Sequence, residues 1–540
     1  MVSDTFTRSE DITISEKPNF YISLISKFNK MNKLKLTLLI AFAAIGTISF
    51  AQTRLTLHPE DAETKINKEI YGHFAEHLGR CIYGGIYVGE DSEIPNVRGF
   101  RDDVIGALKD MQIPLLRWPG GCFADTYHWK DGIGPREERP SIVNVHWGGV
   151  TEDNSFGTHE FLDFCDLIEA EPYINLNVGS GTVQEASEWV EYVTSSNLSP
   201  MTELRKKNGR DKPWDVKYWG IGNENWGCGG NMTPEYYADL YNRFATYCHG
   251  NLYRIAGGPN VADYNWMEVL MQKTSRYRHL VQGVSLHNYT FTTAWEDKGH
   301  ATDFGEKEWI SVLNNTLKME TLVERHSTIM DKYDPEKRIG LIVDEWGDWF
   351  NVEEGTNPGF LYQQNTLRDA LVAGINLNIF NNHADRVKMA NIAQMVNVLQ
   401  AVILTKDDEM VLTPTYFVFK MYSVHQDATL VPMNQKTGDY SFDGKKVPNI
   451  YSSASTKDGV LSVTMVNLNP NNSEPVEINI TGNDYSSASS QIITAENMND
   501  YNDFGQQEKV SLKEMKINNP KDNKLTVTVP AKSVVLVQFK

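Results

Sequence analysis

Cysteine is scarce in this chain, with five residues among 540 (Cys81, Cys122, Cys165, Cys228 and Cys248) and no Cys-x-x-Cys pair. That excludes a disulfide-scaffolded fold and a cysteine-based zinc site, and the odd count leaves at least one thiol free. Positive charge is also short: 51 Lys and Arg stand against 70 Asp and Glu, a formal net charge of −19. Such a surface repels phosphate backbones and anionic lipids, so nucleic acid and membrane surfaces are excluded as partners while uncharged sugars stay open. A phosphate-binding loop is missing, because Gly227-Cys-Gly-Gly230 lacks the Lys-Ser/Thr that a P-loop needs.

Long apolar runs are missing too, apart from one near the start. Met31-Asn-Lys-Leu-Lys35 is basic, Leu36 to Ala51 carries no charge, and Ser49-Phe-Ala51 forms a small-x-small ending. The run approaches the length of a membrane anchor, but its apolar centre, Leu38 to Gly46, is of signal-peptide size. A signal peptide spanning Met31 to Ala51 is therefore expected, with residues 1–51 dispensable, an exported (periplasmic or secreted) protein, and no stable membrane insertion after cleavage.

What remains is ample for a large core: 41% hydrophobic and 11% aromatic residues in a chain longer than one ordinary domain. From Ile70 to about Val402, short apolar runs alternate with helical patterns. The runs include Ile113–Trp118, Tyr173–Val178, Val216–Ile221, Gly283–His287, Ile339–Val343 and Gly374–Ile379. Between them lie candidate helices, at His159–Ile168 and at Thr233-Pro-Glu-Tyr, where Thr is the N-cap and Pro the first helical residue. This alternation predicts a parallel α/β fold. Polar residues gather where the strands end, which favours a (β/α)8 TIM barrel over a doubly wound sheet. After Lys406-Asp-Asp-Glu409 the pattern changes to period two, as in Val460–Val466, Val476–Ile480, Leu525–Val529 and Val534–Phe539. That predicts an antiparallel, jelly-roll-like β-sandwich domain.

Two carboxylates close two of the apolar runs: Glu224 in Gly220-Ile-Gly-Asn-Glu-Asn-Trp226 and Glu345 in Ile342-Val-Asp-Glu-Trp346. A lone carboxylate at a strand end is as often an ion pair or helix cap. Two of them at the ends of different barrel strands can serve glycoside cleavage with retention. There one group protonates the leaving oxygen and the other attacks the anomeric carbon from about 5–5.5 Å away.

The chain resembles the α-L-arabinofuranosidases of glycoside hydrolase family 51. The resemblance lies in Tyr71-Gly-His-Phe-Ala-Glu-His-Leu-Gly-Arg80, Leu116-Arg-Trp-Pro-Gly-Gly-Cys-Phe123, Trp129-Lys-Asp-Gly-Ile-Gly-Pro135 and Asn154-Ser-Phe-Gly-Thr158. It continues in Gly222-Asn-Glu-Asn225, Ser285-Leu-His-Asn-Tyr289, Asp344-Glu-Trp346 and Ala384–Gln394, and so runs from about residue 54 to the C-terminus. It implies a catalytic barrel over 72–405 and a sandwich assembled from 53–71 together with 406–540. It further implies an exo-acting, retaining enzyme without metal or cofactor, acting on arabinan- or arabinoxylan-type polysaccharides and oligosaccharides, and a homo-oligomer, often a hexamer. Position by position, Glu224 corresponds to the general acid/base and Glu345 to the nucleophile. Asn223 corresponds to the residue that hydrogen-bonds the sugar 2-hydroxyl. Glu76, Tyr289 and Gln394 match furanose-binding positions, and Trp349 an aromatic wall. Arg117 is the expected cation beside Glu345, and His287 a support for this shell.

One departure stands out: many members carry Asn where this chain has Cys122, and a thiol is a poor substitute for that sugar contact. A second possibility for the region, a zinc peptidase, arises because His73-Phe-Ala-Glu-His77 fits H-x-x-E-H. The motif follows a strand-like run and precedes Gly-rich sequence, so the helix it needs is not expected. The same two Glu would also serve an endo-β-glycanase of the same barrel clan, which needs an open groove in place of a pocket. A non-catalytic sugar-binding protein would need neither.

Overall fold

A computed structural model describes residues 53–506 and 508–540; the segment expected to be a signal peptide lies outside them. The first strand, β1 (Thr53–Leu57), is followed by eight strands that close a barrel in chain order. These are β2 (Gly72–Phe74), β3 (Leu115–Trp118), β4 (Glu171–Leu176), β5 (Tyr218–Ile221), β6 (Tyr253–Ala256), β7 (Gly283–Thr290), β8 (Gly340–Asp348) and β9 (Val387–Ala393). Every neighbouring pair is parallel. A helix follows each strand: 102–111, 158–168, 183–194, 234–247, 264–274, 318–333, 367–382 and 414–422. The fold is a (β/α)8 barrel. Strong local signals set several of these helices: Thr233 caps Pro234–Tyr247 by accepting the Tyr236 N–H, with Pro at the first position.

The bottom of the barrel is plugged by Leu115, Tyr173, Tyr218, Ile255, Ile342 and Met389, one inward side chain from each of six strands. The sandwich consists of two sheets. One, of six strands, includes Ile450–Lys457, Val460–Asn467 and Ser533–Phe539; the other orders Met433–Lys436, β1, Glu474–Ile480 and Lys524–Val529. Period-two burial explains the facing cores: Leu55 and Leu57 of β1 are buried with Val476, Ile478, Val527, Val535 and Val537. β1 runs antiparallel to Met433–Lys436 but parallel to Glu474–Ile480, an exception to the antiparallel pattern expected there. It becomes possible because β1 arrives from the opposite end of the chain.

Two sequence expectations fail. The barrel does not end at 405, because the helix following its last strand is 414–422. Gly374–Ile379 is not a strand; it lies inside the helix Leu367–Asn382, and the last barrel strand is Val387–Ala393. The helix is buried on nearly every face between barrel and sandwich, so its apolar residues show no 3.6-residue stripe. Gly374 lets it approach the sheet, since a Cβ there would meet Val466 Cγ2 at 2.9 Å. Asn378, Asn381 and Asn382 donate hydrogen bonds to Tyr451 O, Ser453 Oγ and Ser452 O across the same junction. No helix among the described residues is long and apolar enough to cross a membrane.

Candidate active site

The C-terminal ends of the barrel strands open into a cavity of about 760 Å³. Glu76, Glu224, His287, Tyr289, Glu345, Trp349 and Gln394 line it. Period-two geometry would send Asp344 and Glu345 to opposite faces of β8. The pairing shows how both turn to the barrel interior: Ser285 pairs with Ile342 but His287 with Glu345, and Val343 pairs with Ala390 but Trp346 with Ile392. Against both neighbours β8 therefore carries one extra residue at Asp344–Glu345, a bulge that turns two adjacent carboxylates inward.

Glu345 is held at both oxygens. Arg117 Nη1 donates to Oε1 at 2.8 Å and the Tyr289 hydroxyl to Oε2 at 2.9 Å. Arg117, on β3, also donates to Asn223 Oδ1 at 2.6 Å and lies over the Phe74 ring. Burial works against the Arg117 charge, but Asp344 and Glu345 outweigh it and the guanidinium stays protonated. Asp344 takes a hydrogen bond from the Tyr173 hydroxyl at 2.8 Å and sits 3.1 Å from His287 Nε2. Burial raises its pKa, yet Arg117 and His287 bring it below the ordinary value.

Glu224 follows β5 in a tight turn, with φ of +42° at Glu224 itself and +91° at Gly222. A left-handed glutamate costs roughly 1 kcal/mol, a local strain of the kind found at functional sites. Hydrogen bonds hold the turn: Gly227 N and Gly229 N donate to Glu224 O, and Asn225 Nδ2 donates to Gly229 O. Glu224 Oε1 lies 2.9 Å from His287 Nδ1. Burial, reinforced by the Glu345 charge, raises the Glu224 pKa, while His287 and Arg117 pull it down. Burial also opposes charge on His287, but Glu345, Asp344 and Glu224 overcome it and push its pKa up to about 10. The surrounding carboxylates thus favour the imidazolium form of His287, with Nδ1 facing Glu224 and Nε2 facing Asp344. An oxygen of Glu224 and an oxygen of Glu345 lie within 4.8 Å of each other.

Glu76 forms part of the opposite wall. Its Oε1 accepts from Phe123 N–H (3.0 Å) and Trp147 Nε1–H (2.7 Å), and its Oε2 from Gln394 Nε2–H (3.0 Å). Burial, then the charge of Glu345, pushes its pKa up to about 7. Asn223 Nδ2 is buried with no hydrogen-bond partner, a spare donor beside the carboxylates. Trp349 meets Tyr289 edge to face at 5.1 Å, and Trp295 packs on Trp349 at 4.9 Å. All nine residues singled out from sequence therefore meet in one cluster or its immediate shell.

Sequence reasoning missed several others. Asp344 was read only as part of a motif, although it ties Arg117, His287 and Tyr173 together. Trp147, which holds Glu76, and Trp295 at the rim, 54% exposed, carry no motif that would single them out. Cys122 is not a thiol: it forms a disulfide with Cys228, 106 residues away, and both line the cavity. The available signal was that each cysteine stands a few residues beyond a site residue, Arg117 or Glu224. Cys81, Cys165 and Cys248 are free and buried. The zinc-peptidase motif is not helical: His73 lies on β2 against Phe419, and His77 accepts the Trp118 indole N–H. Donor atoms of Cys122, Glu224 and Cys228, and of Glu224, His287 and Glu345, cluster closely enough to hold a cation. The sulfurs, however, are joined to each other, and the second set is already neutralised by Arg117 and the imidazolium.

Two family models match the chain: "Alpha-L-arabinofuranosidase 1 domain" over residues 107–297 and "Alpha-L-arabinofuranosidase C-terminal domain" over 344–533. An "Intracellular exo-alpha-L-arabinofuranosidase" of Bacteroides ovatus is 52% identical over 519 residues, covering 94% of this chain and 100% of the relative. The solved GH51 arabinofuranosidase from Xanthomonas axonopodis pv. citri is 46% identical with a TM-score of 0.89, covering 91% of this chain and 100% of that one. The arabinose complex of the Thermotoga maritima α-L-arabinofuranosidase is 29% identical with a TM-score of 0.77, covering 90% and 99%. The Bacteroides relative overturns the expectation of export through Met31–Ala51. That expectation rested on a short basic stretch followed by an apolar one, a compositional pattern that nothing in the fold has to satisfy.

Proposed function

The chain belongs to the α-L-arabinofuranosidases of glycoside hydrolase family 51, retaining and exo-acting glycosidases, and from that premise we propose how its residues divide the work. Glu345 attacks the anomeric carbon of a terminal arabinofuranosyl group. Arg117 and Tyr289 orient its oxygens and leave one lone pair of each free for the sugar. Glu224 protonates the departing glycosidic oxygen. His287 donates to Oε1, so the acidic proton resides on Oε2. The ester formed on Glu345 no longer carries the negative charge that raised Glu224, which then becomes the base that takes a proton from the incoming water. Asn223, with its free Nδ2, binds the 2-hydroxyl; Glu76 and Gln394 bind hydroxyls at the closed end, and Trp349 covers the ring.

The observation that carries this reading is the separation of the two carboxylates, with oxygens within 4.8 Å. So close an approach suits a retaining pair, whose groups stand about 5–5.5 Å apart, better than an inverting pair at about 6.5–9.5 Å. The blind end of the pocket at Glu76 and Gln394 supports attack on chain termini, against the open groove of an endo-β-glycanase. A volume of about 760 Å³ exceeds one pentose, so part of a second sugar fits between Trp226 and Trp295. This supports terminal arabinofuranose on arabinan- or arabinoxylan-type chains and their oligosaccharides as substrates. The reading also includes a homo-oligomer such as a hexamer, which sedimentation would measure. Hydrolysis of an aryl α-L-arabinofuranoside followed by NMR should release the α-anomer first. Release of the β-anomer, or cleavage confined to internal β-glucan bonds, would overturn the proposal.

A further inference from the structure

The Cys122–Cys228 disulfide joins two turns that line the cavity. Cys122 follows the Gly120-Gly121 turn that leaves β3, the strand of Arg117; Cys228 stands four residues after Glu224 in the turn that leaves β5. The bond therefore ties the sugar-binding turn to the acid/base turn across the strand between them, with both sulfurs facing the cavity. Cys228 Sγ is 3.5 Å from Glu224 Oε2, the oxygen not engaged by His287. A disulfide sulfur has no proton, so the contact offers Oε2 no donor. A thiol in the same place would donate to Oε2 and stabilise the ionised form.

We propose that the Cys122–Cys228 disulfide is a positioning element of the catalytic site, holding the Glu224 turn against the arabinose-binding turn and keeping the proton-bearing oxygen free of competing donors. It forms one wall of the sugar pocket, at the position where the resemblance puts an asparagine in many members, and full turnover requires the closed bond. The proposal rests on Glu224 as acid/base. It also makes activity depend on small dithiols that can enter the cavity. One dithiol molecule is oxidised to its cyclic disulfide, the Cys122–Cys228 bond breaks, and the two protons and two electrons appear as two protein thiols. With Sγ freed, the Glu224 turn, already strained at φ +42°, loses its covalent anchor.

The test is to treat the purified enzyme with dithiothreitol, titrate the exposed thiols, and measure kcat and KM on aryl α-L-arabinofuranosides with good and poor leaving groups. A parallel series uses Cys122→Ser/Cys228→Ser, and reoxidation of the reduced wild type controls for unfolding. With two thiols gained, kcat should fall about tenfold on poor leaving groups, short of the ~10²–10⁴ that general acid catalysis supplies. It should fall less on good ones, and the alkaline limb of kcat/KM should move to lower pH. Reoxidation should restore all three. Two thiols gained with kcat, leaving-group dependence and pH profile unchanged would overturn the proposal. So would an equal loss on every substrate with an unmoved pH profile, which would make the bond a structural staple only. Glu224→Ala run alongside separates the two readings: undiminished turnover in that variant would remove Glu224 from its role, whatever the disulfide does.

Discussion

The floor of the barrel and the site above it are built from the same inward faces of the same strands, two residues apart. Leu115 lies in the plug and Arg117 in the site; Ile342 lies in the plug and Asp344 in the site. Below, six apolar or aromatic side chains fill the ring and exclude water. Above, Arg117, His287, Asp344, Glu345 and Glu224 are all buried or nearly so, and each is neutralised by another. The difference teaches that the plug supplies a dry floor on which the charges of the site are set. Charges on a dry floor interact through a low effective dielectric, so removing one partner disturbs the rest far more than it would in water. Function is thus concentrated in the upper layer and stability in the lower, and substitutions should separate them.

The largest effect is expected at the top. Glu345→Ala should lower kcat by about 10⁴-fold or more, because no second group can form the glycosyl ester. Its thermal midpoint should fall, because Arg117 loses a buried, hydrogen-bonded counter-ion. Activity above that level after purification to homogeneity would break the assignment. Next comes Glu224→Ala, expected to cost about 10²–10⁴ in kcat on substrates with poor leaving groups and much less on activated aryl glycosides. Its pH profile carries a sign. The protonated form is the active acid and its pKa is raised, chiefly by burial, so activity is present below that raised value and is lost as pH climbs through it. Glu224→Ala should erase this alkaline limb, and a limb that survives would belong to another group. At the bottom, Met389→Ala should do the reverse. It should cost about 2–5 kcal/mol of stability in denaturant unfolding, with kcat nearly intact at low temperature. A catalytic defect larger than the stability defect would dissolve the division between the layers.

How much of this was legible in the sequence follows from the same physics. Strands with one dominant pattern were readable: Lys524–Val529 alternates exposed and buried residues, while Val460–Asn467, Ser533–Phe539 and Tyr218–Ile221 are nearly continuous buried runs. Glu224 and Glu345, which meet in the cavity, were readable as a pair because each closes such a run. The helix Leu367–Asn382 was misread because burial on all sides erases the stripe that periodicity depends on. Asp344 was passed over because alternation puts it opposite Glu345, and only the extra residue in β8 brings both inward. The Cys122–Cys228 bond escaped because its partners are 106 residues apart and meet only when β3 and β5 take their places in a closed ring. Local pattern finds residues whose role is set by their own strand; it cannot find those whose role is set by a neighbouring one.

The boundary between the two layers passes through one side chain, and the smallest prediction is made there. The Tyr173 ring belongs to the plug, packed with Leu115, Tyr218 and Ile342, while its hydroxyl donates to Asp344 Oδ2 at 2.8 Å. Tyr173→Phe keeps the ring and deletes only the donor to a buried charged acceptor. That should cost about 1.5–3 kcal/mol of stability, less than emptying the plug at Met389. Asp344 retains Arg117 and His287, so kcat should fall by less than about tenfold. The fall should be accompanied by weaker control of His287, seen as a displaced pH profile. If Tyr173→Phe instead matches Glu224→Ala in kcat, the catalytic layer extends down into the plug and the floor is no passive support. If it changes stability alone, Asp344 is fixed by its two cations and the layers meet without coupling.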